Sequence, residues 1–400
     1  MSDLERYWKR NLLIIATGAF LANLSFNLTT PFIPLFVEEL GQTENVATLS
    51  SFAQSASALM YAIMAPVWGS LADKYGKKQM FVRAGMGIAI ANLLCALSQN
   101  YMQYLILRFF NGMLSGFIPA CIMFIATNTP ERHVGYALGI TQMGVSIGQI
   151  MGPFVGGYLS NMVGMRMAMA LAALGIFIAA TLCVTFSKEI VLGNRDKKTS
   201  VIEDIKSVLA VPSLRGVIFG LMLVNTALTI IQPTLTLFIS SMVEPSQREV
   251  MAGNIYSIIG VSTAIGALVV SRLHRIWPPR SVFYFGLASA GALNILQGFA
   301  SNVWVLGLER LIFGFSNSMI TITANVLVTS ASTPEMRGRT FGALNGISSL
   351  GNVVGPVIGG TLGDAMGYNI PFFAGGAFLF SAIGLTYKSL HNVGTEPIKN

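Results

Sequence analysis

Charged residues are scarce in this 400-residue chain, and histidine and cysteine are nearly absent. Only 10% of its residues are charged, whereas a soluble domain carries roughly 25%. The three histidines and three cysteines lack the spacing of a metal site, so no metal is expected. The sequence also has no glycine-rich phosphate loop and no catalytic constellation. These absences argue against an enzyme, a metalloprotein and an ATP-driven machine, and they predict no cofactor.

Apolar residues are abundant and occur in long runs. They make up 53% of the chain, and the mean hydropathy is +0.64. A helix needs about 20 mostly apolar residues to cross a bilayer. Twelve such stretches predict an all-α membrane protein with twelve transmembrane helices and the lipid bilayer as its partner. The stretches lie at 11–35, 46–72, 79–99, 102–127, 135–160, 165–187, 214–240, 250–271, 281–300, 303–328, 339–362 and 369–388.

Lysine and arginine predict how the chain is oriented, because cytoplasmic loops of membrane proteins are enriched in both. With the N-terminus inside, the inner loops hold 21 of the 25 basic residues and the outer loops hold two. Both termini are therefore expected on the cytoplasmic side of the cell membrane, whether inner or plasma membrane. This asymmetry accounts for the net charge of +8, so no nucleic-acid partner is expected.

The sequence repeats itself at a spacing of about 203 residues. The matched positions are Pro31 with Pro233, Arg108 with Arg310, Thr129 with Thr333, and Gly148, Gly152 and Pro153 with Gly351, Gly355 and Pro356. Internal repeats are typical of secondary transporters, which bind substrate at the repeat interface. We therefore predict an N-terminal six-helix bundle at 1–187, a polar cytoplasmic linker at 188–213 and a C-terminal six-helix bundle at 214–400.

A single acid stands in a basic loop between the second and third stretches. This gating segment, residues 69–78, reads Gly-Ser-Leu-Ala-Asp-Lys-Tyr-Gly-Lys-Lys. Asp73 is expected to accept hydrogen bonds from a helix N-terminus or to pair with Arg83 or Arg132, and so to latch one conformation. The alternative is a tight turn at the two glycines with ordinary cytoplasmic charges. The residues assigned to the gate are Gly69, Asp73, Gly76, Lys77, Lys78 and Arg83.

Glycines four residues apart recur in the fifth and eleventh stretches, each time with a proline. The residues concerned are Gly148, Gly152, Pro153 and Gly156, and in the second copy Gly355 and Pro356. Small residues at this spacing let membrane helices approach closely, and a proline kink can be satisfied by neighbouring helices. We expect these residues to serve packing and a hinge. A direct seal against ion leak is the alternative.

Arg108 is a charge inside the fourth stretch. A charge embedded in a membrane is costly, so it suggests a function by default. Its expected partners are Asn27 or the backbone carbonyls that Pro31 frees in the first stretch. The alternatives are a staple between helices and an arginine that reaches the membrane interface.

Glu309 is the best candidate for a proton-carrying group, and Arg108, Arg310 and Glu38 are further candidates for proton coupling. It lies inside the tenth stretch beside Arg310, and adjacent residues on a helix point about 100° apart. Carboxylic acids within membrane helices often serve proton relays. A position at the lipid interface and a structural pair with another arginine are the alternatives. Glu38, at the outer end of the first stretch, is a second candidate, although a solvated role is favoured there.

Amides and aromatics recur where a cavity is expected, which suits a loose and mostly uncharged ligand pocket. The alternative for each is an interhelical hydrogen bond or a lipid-facing ring, and for any single residue it is favoured. The candidates are Asn23, Phe26, Asn27, Phe32, Gln54, Tyr61, Asn111, Gln142, Asn225, Gln232, Phe238 and Asn317.

The motifs resemble those of a known family. The gating segment resembles the G-x-L-A-D-x-x-G-R-K signature of the major facilitator superfamily, with Lys77 in place of the commoner arginine. Residues 108–112 and 148–157 are similar to its fourth-helix motif and to the fifth-helix motif of its antiporters. Residues 31–41 resemble the first-helix motif of its twelve-helix drug:proton antiporters. The resemblance covers the whole chain, but Arg275 stands where the second copy would have the acid matching Asp73.

This resemblance implies a major facilitator fold, in which two pseudo-symmetric six-helix bundles surround a central cavity. It implies a monomer that exports small lipophilic, often cationic compounds by alternating access, driven by protons. The same fold with a sugar, peptide or lipid as cargo is one alternative. A membrane scaffold or sensor that has lost transport is another, against which the intact gating segment argues.

Overall fold

The computed structural model describes residues 3–190, 206–333 and 336–390, and these residues form helices and connecting turns without any strand. The chain is therefore all-α, as predicted. The helices are α1 (Asp3–Thr29), α2 (Ile33–Glu39), α3 (Val46–Tyr75), α4 (Lys77–Leu97), α5 (Tyr101–Leu114), α6 (Phe117–Thr127), α7 (Val134–Val163), α8 (Met165–Phe186), α9 (Pro212–Thr229), α10 (Gln232–Ser240), α11 (Arg248–Leu273), α12 (Pro279–Gln297), α13 (Val303–Ala331), α14 (Arg337–Met366) and α15 (Ile370–Ser389).

The helices match the twelve predicted stretches. Three pairs, α1 with α2, α5 with α6 and α9 with α10, each follow one another within a single stretch. In the described part of the chain, ten spans are long and apolar enough to cross a membrane. The helices α7 and α12 occupy the other two predicted stretches. The prediction of a twelve-helix membrane protein is thus confirmed.

The fourth stretch is broken, which the sequence reading of 102–127 did not predict. Gly116 has a φ of +122°, a conformation that favours glycine, and it separates α5 from α6. Two side chains bind the carbonyls at this break. The indole Nε1 of Trp68 donates to Met113 O at 2.7 Å, and Arg83 Nη2 donates to Ser115 O at 3.5 Å. Neighbouring helices thereby satisfy the backbone groups that the break frees.

Contacts divide the chain into two units. The first comprises Met1–Gln42, Ala56–Lys198 and Ala252–Ser257, and the second comprises Thr43–Ser55, Thr199–Met251 and Ile258–Asn400. The first turns of α3 are thus grouped with the second unit, and a short part of α11 with the first. The predicted division at 188–213 stays a prediction. Most of that linker, like the tail from His391, lies outside the described residues.

The two units repeat the same helix packing. In the first, α8 packs against α1 and α4, and in the second, α15 packs against α9 and α12. A buried aromatic cluster fills part of the first core, where the Phe81 ring lies 6.0 Å from that of Phe117 and 5.5 Å from that of Phe124. The core of the second unit is mostly aliphatic and is formed by residues of α9, α12, α13, α14 and α15.

Individual contacts repeat as well. At one end of the first unit, Arg166 Nη1 donates to Ala96 O at 3.1 Å. At the matching positions of the second unit, Asn369 Nδ2 donates to Gly298 O at 3.4 Å. A charged donor in one copy is therefore replaced by a neutral amide in the other, although the acceptor is a backbone carbonyl in both.

The glycines of α7 and α14 bring these helices into backbone contact with a neighbour. A Cβ on Gly148 would meet Phe20 O at 2.5 Å, and a Cβ on Gly152 would meet Leu24 O at 2.8 Å. In the second unit, a Cβ on Gly351 would lie 2.8 Å from the backbone nitrogen of Thr226. Both helices pass through their prolines without ending. The geometry agrees with a packing role for these glycines.

Substitution of Gly156 should destabilise the protein more than substitution of Gly139 in the same helix. A Cβ on Gly156 would overlap Leu28 O, whereas a Cβ on Gly139 would have no atom within 4 Å. We expect Gly156→Ala to lower the free energy of unfolding by about 1–3 kcal/mol. Gly139→Ala should leave it unchanged or raise it by about 1 kcal/mol, because alanine favours helix. Thermal unfolding of the purified variants in detergent measures both, and equal losses would contradict the packing role.

Candidate functional site

The gating segment contains a single residue outside helices. The helix α3 ends at Tyr75 and α4 begins at Lys77, so the turn consists of Gly76 alone. Its φ is +102°, which other residues rarely adopt. Gly69 lies within α3, and a Cβ there would have no neighbour within 4 Å. The prediction of a tight turn is right for Gly76 and wrong for Gly69.

A carboxylate that no sequence motif indicates caps α4. Glu189 Oε1 accepts a hydrogen bond from the backbone nitrogen of Lys77 at 2.8 Å, and Oε2 accepts one from that of Lys78 at 3.1 Å. Amides in the first turn of a helix have no partner within it, and a negative charge is favourable there. A Cβ on Gly76 would lie 2.9 Å from Glu189 Oε2, so the glycine also leaves room for the cap.

The residues beside Glu189 hold further helix ends together. The backbone nitrogen of Lys188 donates to Asn11 Oδ1 at 2.9 Å, and Asn11 Nδ2 donates back to Lys188 O at 2.8 Å. The backbone nitrogen of Ile190 donates to Asn128 Oδ1 at 2.7 Å. Residues 188–190 therefore connect α1, the start of α4 and the end of α6. The beginning of the predicted linker is therefore bonded to the ends of these helices.

Asp73 does not pair with the predicted partners. Its carboxylate is about half exposed and lies 3.7 Å from the ammonium group of Lys77, four residues on. Arg132 pairs instead with Glu5 at 3.0 Å. The guanidinium of Arg83 stacks on an indole ring at the break between α5 and α6. The expected pairs with Arg83 and Arg132 are thus wrong in this structure, because short-range and aromatic partners take their place.

Arg108 is buried in α5, where it is 7% exposed. Ser57 Oγ of α3 donates to Arg108 O at 2.6 Å, and a Cβ on Gly112 would overlap the backbone of Ser57. These contacts place α3 and α5 close together at the level of the arginine. The expected partner Asn27 donates its amide to Asn23 O at 2.8 Å, within its own helix.

Arg310, the matching arginine, is also buried, but among aromatic rings. Its Cζ lies 5.2 Å from the ring centroid of Phe372 and 5.7 Å from that of Phe313. The adjacent Glu309 is half-buried, and its Oε2 is buried without a hydrogen-bond partner in the part of the chain that the structure describes. The two charged side chains thus differ in surroundings, although they are neighbours in sequence.

The other candidate acid lies at the end of α2. Glu38 is half-buried. The adjacent Glu39 Oε1 lies 2.8 Å from Arg166 Nε, and the Arg166 Cζ lies 5.4 Å from the ring centroid of Phe36. An ion pair therefore holds this end of the first span to the start of α8.

Three of the predicted cavity amides form hydrogen bonds between helices. Asn23 Nδ2 donates to Val145 O at 2.6 Å, and Asn111 Nδ2 donates to Asn92 Oδ1 at 2.8 Å. In the second unit, Asn317 Nδ2 lies 3.5 Å from Thr263 Oγ1. The alternative stated for these residues, a role in helix packing, is the one the geometry shows.

The remaining cavity candidates differ in exposure. Phe32 and Phe238 are buried core residues, and Phe238 packs against Phe372 with ring centroids 5.2 Å apart, so their assignment to a cavity wall is wrong. Gln54 is also buried. Phe26 and Gln142 are exposed, and partly exposed candidates are Tyr61, Asn225 and Gln232.

Comparison with known proteins gives one consistent result. The sequence pattern of the Major Facilitator Superfamily matches residues 15–295 and 217–398. The multidrug resistance protein MdtG of Salmonella typhimurium is 33% identical over 387 residues, which cover 96% of each chain. A bacterial homologue of the human lysosomal transporter Spinster shares the fold with a TM-score of 0.80 and 16% identity, covering 96% of this chain and 97% of that one. The nucleoside transporter NupG gives 0.78 and 15%, covering 95% and 98%.

Gly76 and Gly164 offer a matched test of the cap by Glu189. Both are single residues between two helices with positive φ, but a Cβ on Gly164 would meet nothing within 4 Å. Alanine at either position should cost about 1–3 kcal/mol of backbone strain, because both glycines combine a positive φ with a ψ of about 150°. Gly76→Ala should cost about 1–2 kcal/mol more, the contribution of a helix cap. Thermal unfolding in detergent measures the difference.

The extra cost of Gly76→Ala should disappear in a Glu189→Ala background, where no carboxylate remains to be displaced. An equal cost in both backgrounds would show that the glycine is needed for its φ alone.

Proposed function

Because the chain belongs to the Major Facilitator Superfamily, a family of membrane transporters, we propose that it exports small lipophilic, often cationic compounds in exchange for protons. The chain is a multi-pass membrane protein whose substrates are small molecules. The observation that carries the proposal is the 33% identity to multidrug resistance protein MdtG along 96% of the chain. The proposal further includes function as a monomer in the cell membrane with both termini in the cytoplasm.

Glu309 is the proposed proton carrier. Its partly exposed carboxylate has one buried oxygen without a hydrogen-bond partner among the described residues, so it can gain a proton without breaking such a bond at that oxygen. A bound cationic substrate would favour the ionised carboxylate, and a bound proton would remove the charge that attracts the substrate. Two ligands that exclude each other at one site are coupled in the sense that antiport requires.

Asp73 remains the proposed gate residue. The Asp73 carboxylate lies 3.7 Å from the buried Lys77 across the turn at Gly76, which is longer than a hydrogen bond, so this contact can be exchanged at little cost. A carboxylate that is half exposed at the end of α3 is therefore available to other partners in another conformation. This availability, rather than a bond in the present structure, supports its role in conformational exchange.

Purified protein in proteoliposomes tests the function directly. With an imposed pH gradient, a panel of dyes and lipophilic cations should be transported with saturable kinetics, and a protonophore should abolish the transport. Saturable transport of one sugar, peptide or lipid, with no response to the dyes, would overturn the proposal and favour the other cargo.

Glu309→Gln should abolish transport that depends on the pH gradient, because the amide cannot exchange a proton. Binding of a cationic dye should lose its pH dependence and stay at the weaker level expected of the protonated carboxyl. Glu244→Gln makes the same change of charge at an exposed acid and serves as the control. If Glu309→Gln still moves protons in step with substrate, the proton carrier lies elsewhere.

Asp73→Asn should slow turnover while leaving dye affinity and the unfolding temperature near those of the unmodified protein. Asp73 is half exposed and its contact with Lys77 is 3.7 Å long, so loss of the contact should cost at most about 1 kcal/mol and should not unfold the protein. Single-turnover dye efflux, equilibrium binding and thermal unfolding separate these effects. Turnover at the unmodified rate would exclude a gating role.

A further inference from the structure

We propose that the carboxylate of Asp364 is a releasable latch of the transport cycle, which holds the first turn of α3 against the end of α14. Asp364 Oδ1 accepts a hydrogen bond from the backbone nitrogen of Ala47 at 3.2 Å, and Oδ2 accepts one from that of Thr48 at 2.7 Å. The helix α3 begins at Val46, so these amides have no partner within the helix. A carboxylate there is also favoured by the helix dipole.

Two further contacts extend this interface along both helices. Gly360 of α14 faces α3 closely, since a Cβ on it would lie 2.5 Å from Ala47 O and 2.8 Å from Ser51 Cβ. One more turn along, Ser55 Oγ donates to Val353 O at 2.7 Å. All these residues belong to the second unit. The first three turns of α3 therefore pack against the last turns of α14, and the hydrogen bonds of Asp364 lie at one end of this contact.

The matching interface in the first unit has the same packing. Ser257 Oγ of α11 donates to Ile150 O of α7 at 2.8 Å. A Cβ on Gly253 would lie 2.5 Å from Pro153 O and 3.2 Å from the Cα of Gly157. Offsets of 202 and 203 residues relate Ser55 and the glycine of α14 to Ser257 and Gly157. The hydroxyl bond and the close glycine contact are thus present in both copies.

The carboxylate cap is present in one copy only. The position that matches Asp364 is Asn161, and the position that matches Ala47 is Glu249. The first turn of α11 carries both Arg248 and Glu249, whereas the first turn of α3 carries no charged residue. The two copies of the repeat share this packing and differ in charge. Asp364 is therefore a feature of the second copy alone.

The helix α3 runs through both units, which explains why a latch at its start bears on transport. The helix runs without a break from Val46 to Tyr75, and from Ala56 onwards it belongs to the first unit. Its far end carries the gating segment with Asp73. A cap at one end and a gate at the other thus act on one continuous helix. One helix cap changes the ratio of two conformations about five- to tenfold. Such a change is enough to favour one conformation and small enough to be reversed in each transport cycle.

Labelling of a buried position reports on the latch. Ser51 is fully buried beside Gly360, and a Ser51→Cys reporter should react slowly with a maleimide in purified protein. Asp364→Ala in the reporter background should raise the labelling rate about five- to tenfold, the factor for one helix cap. Asp364→Asn keeps one acceptor oxygen and should give a smaller increase. This experiment requires only two conformations and no particular cargo, so it is independent of the drug and proton assignments.

Two controls separate the latch from general loosening. Asn302→Ala removes an equivalent cap, because Asn302 Oδ1 accepts from the backbone nitrogens of Trp304 and Val305 at the start of α13, and it should leave the labelling rate unchanged. The native cysteines Cys95 and Cys183 are buried and should stay unlabelled. A rate within twofold of the unmodified reporter for both Asp364 variants, or equal acceleration by Asn302→Ala, would overturn the proposal.

Discussion

Every helix of this protein starts with backbone amides that have no partner inside the helix, and the ends of the bundle are organised by how these amides are satisfied. Short-range caps such as Asn100 on α5 accept hydrogen bonds from these amides within a few residues. Glu189 caps α4 and Asp364 caps α3 in the same way, but from positions 112 and 317 residues away in the sequence. In a membrane protein, where unsatisfied backbone groups are costly, such caps also determine which distant segments lie together.

The two halves of the sequence share packing and differ in charge. Glycine-mediated contacts of α7 with α1 recur between α14 and α9, and serine-to-carbonyl bonds recur at matching positions. Two acids at helix ends do not recur, since Arg275 matches Asp73 and Asn161 matches Asp364. The buried arginines are kept, but Arg310 lies among aromatic rings. Divergence has therefore acted on the charged groups, while the glycines and small residues that set the distances between helices were retained.

Hydropathy predicted the helices well because it follows from the bilayer, and the repeat predicted that the two halves share their helix packing. A membrane helix must be apolar over its whole length, so even the glycine-rich α7 was found at its predicted position. The partners of individual polar side chains were not predictable. Asn27 bonds Asn23 within one helix, and Glu189 caps a helix to which no sequence pattern links it. The burial of Phe32 and Phe238 was missed too, because an aromatic residue in an apolar helix gives no sign of which side it faces.

The distance in sequence between Ala47 and Asp364 has a consequence for biosynthesis. Translation proceeds at roughly 5–20 residues per second, so the 317 residues between them take on the order of 15–60 s to make. During that interval the first turn of α3 exists without its carboxylate, and water or lipid headgroups must bond its amides. These amides therefore keep their bonds to water or headgroups until translation is almost complete, when α14 brings the carboxylate that replaces them.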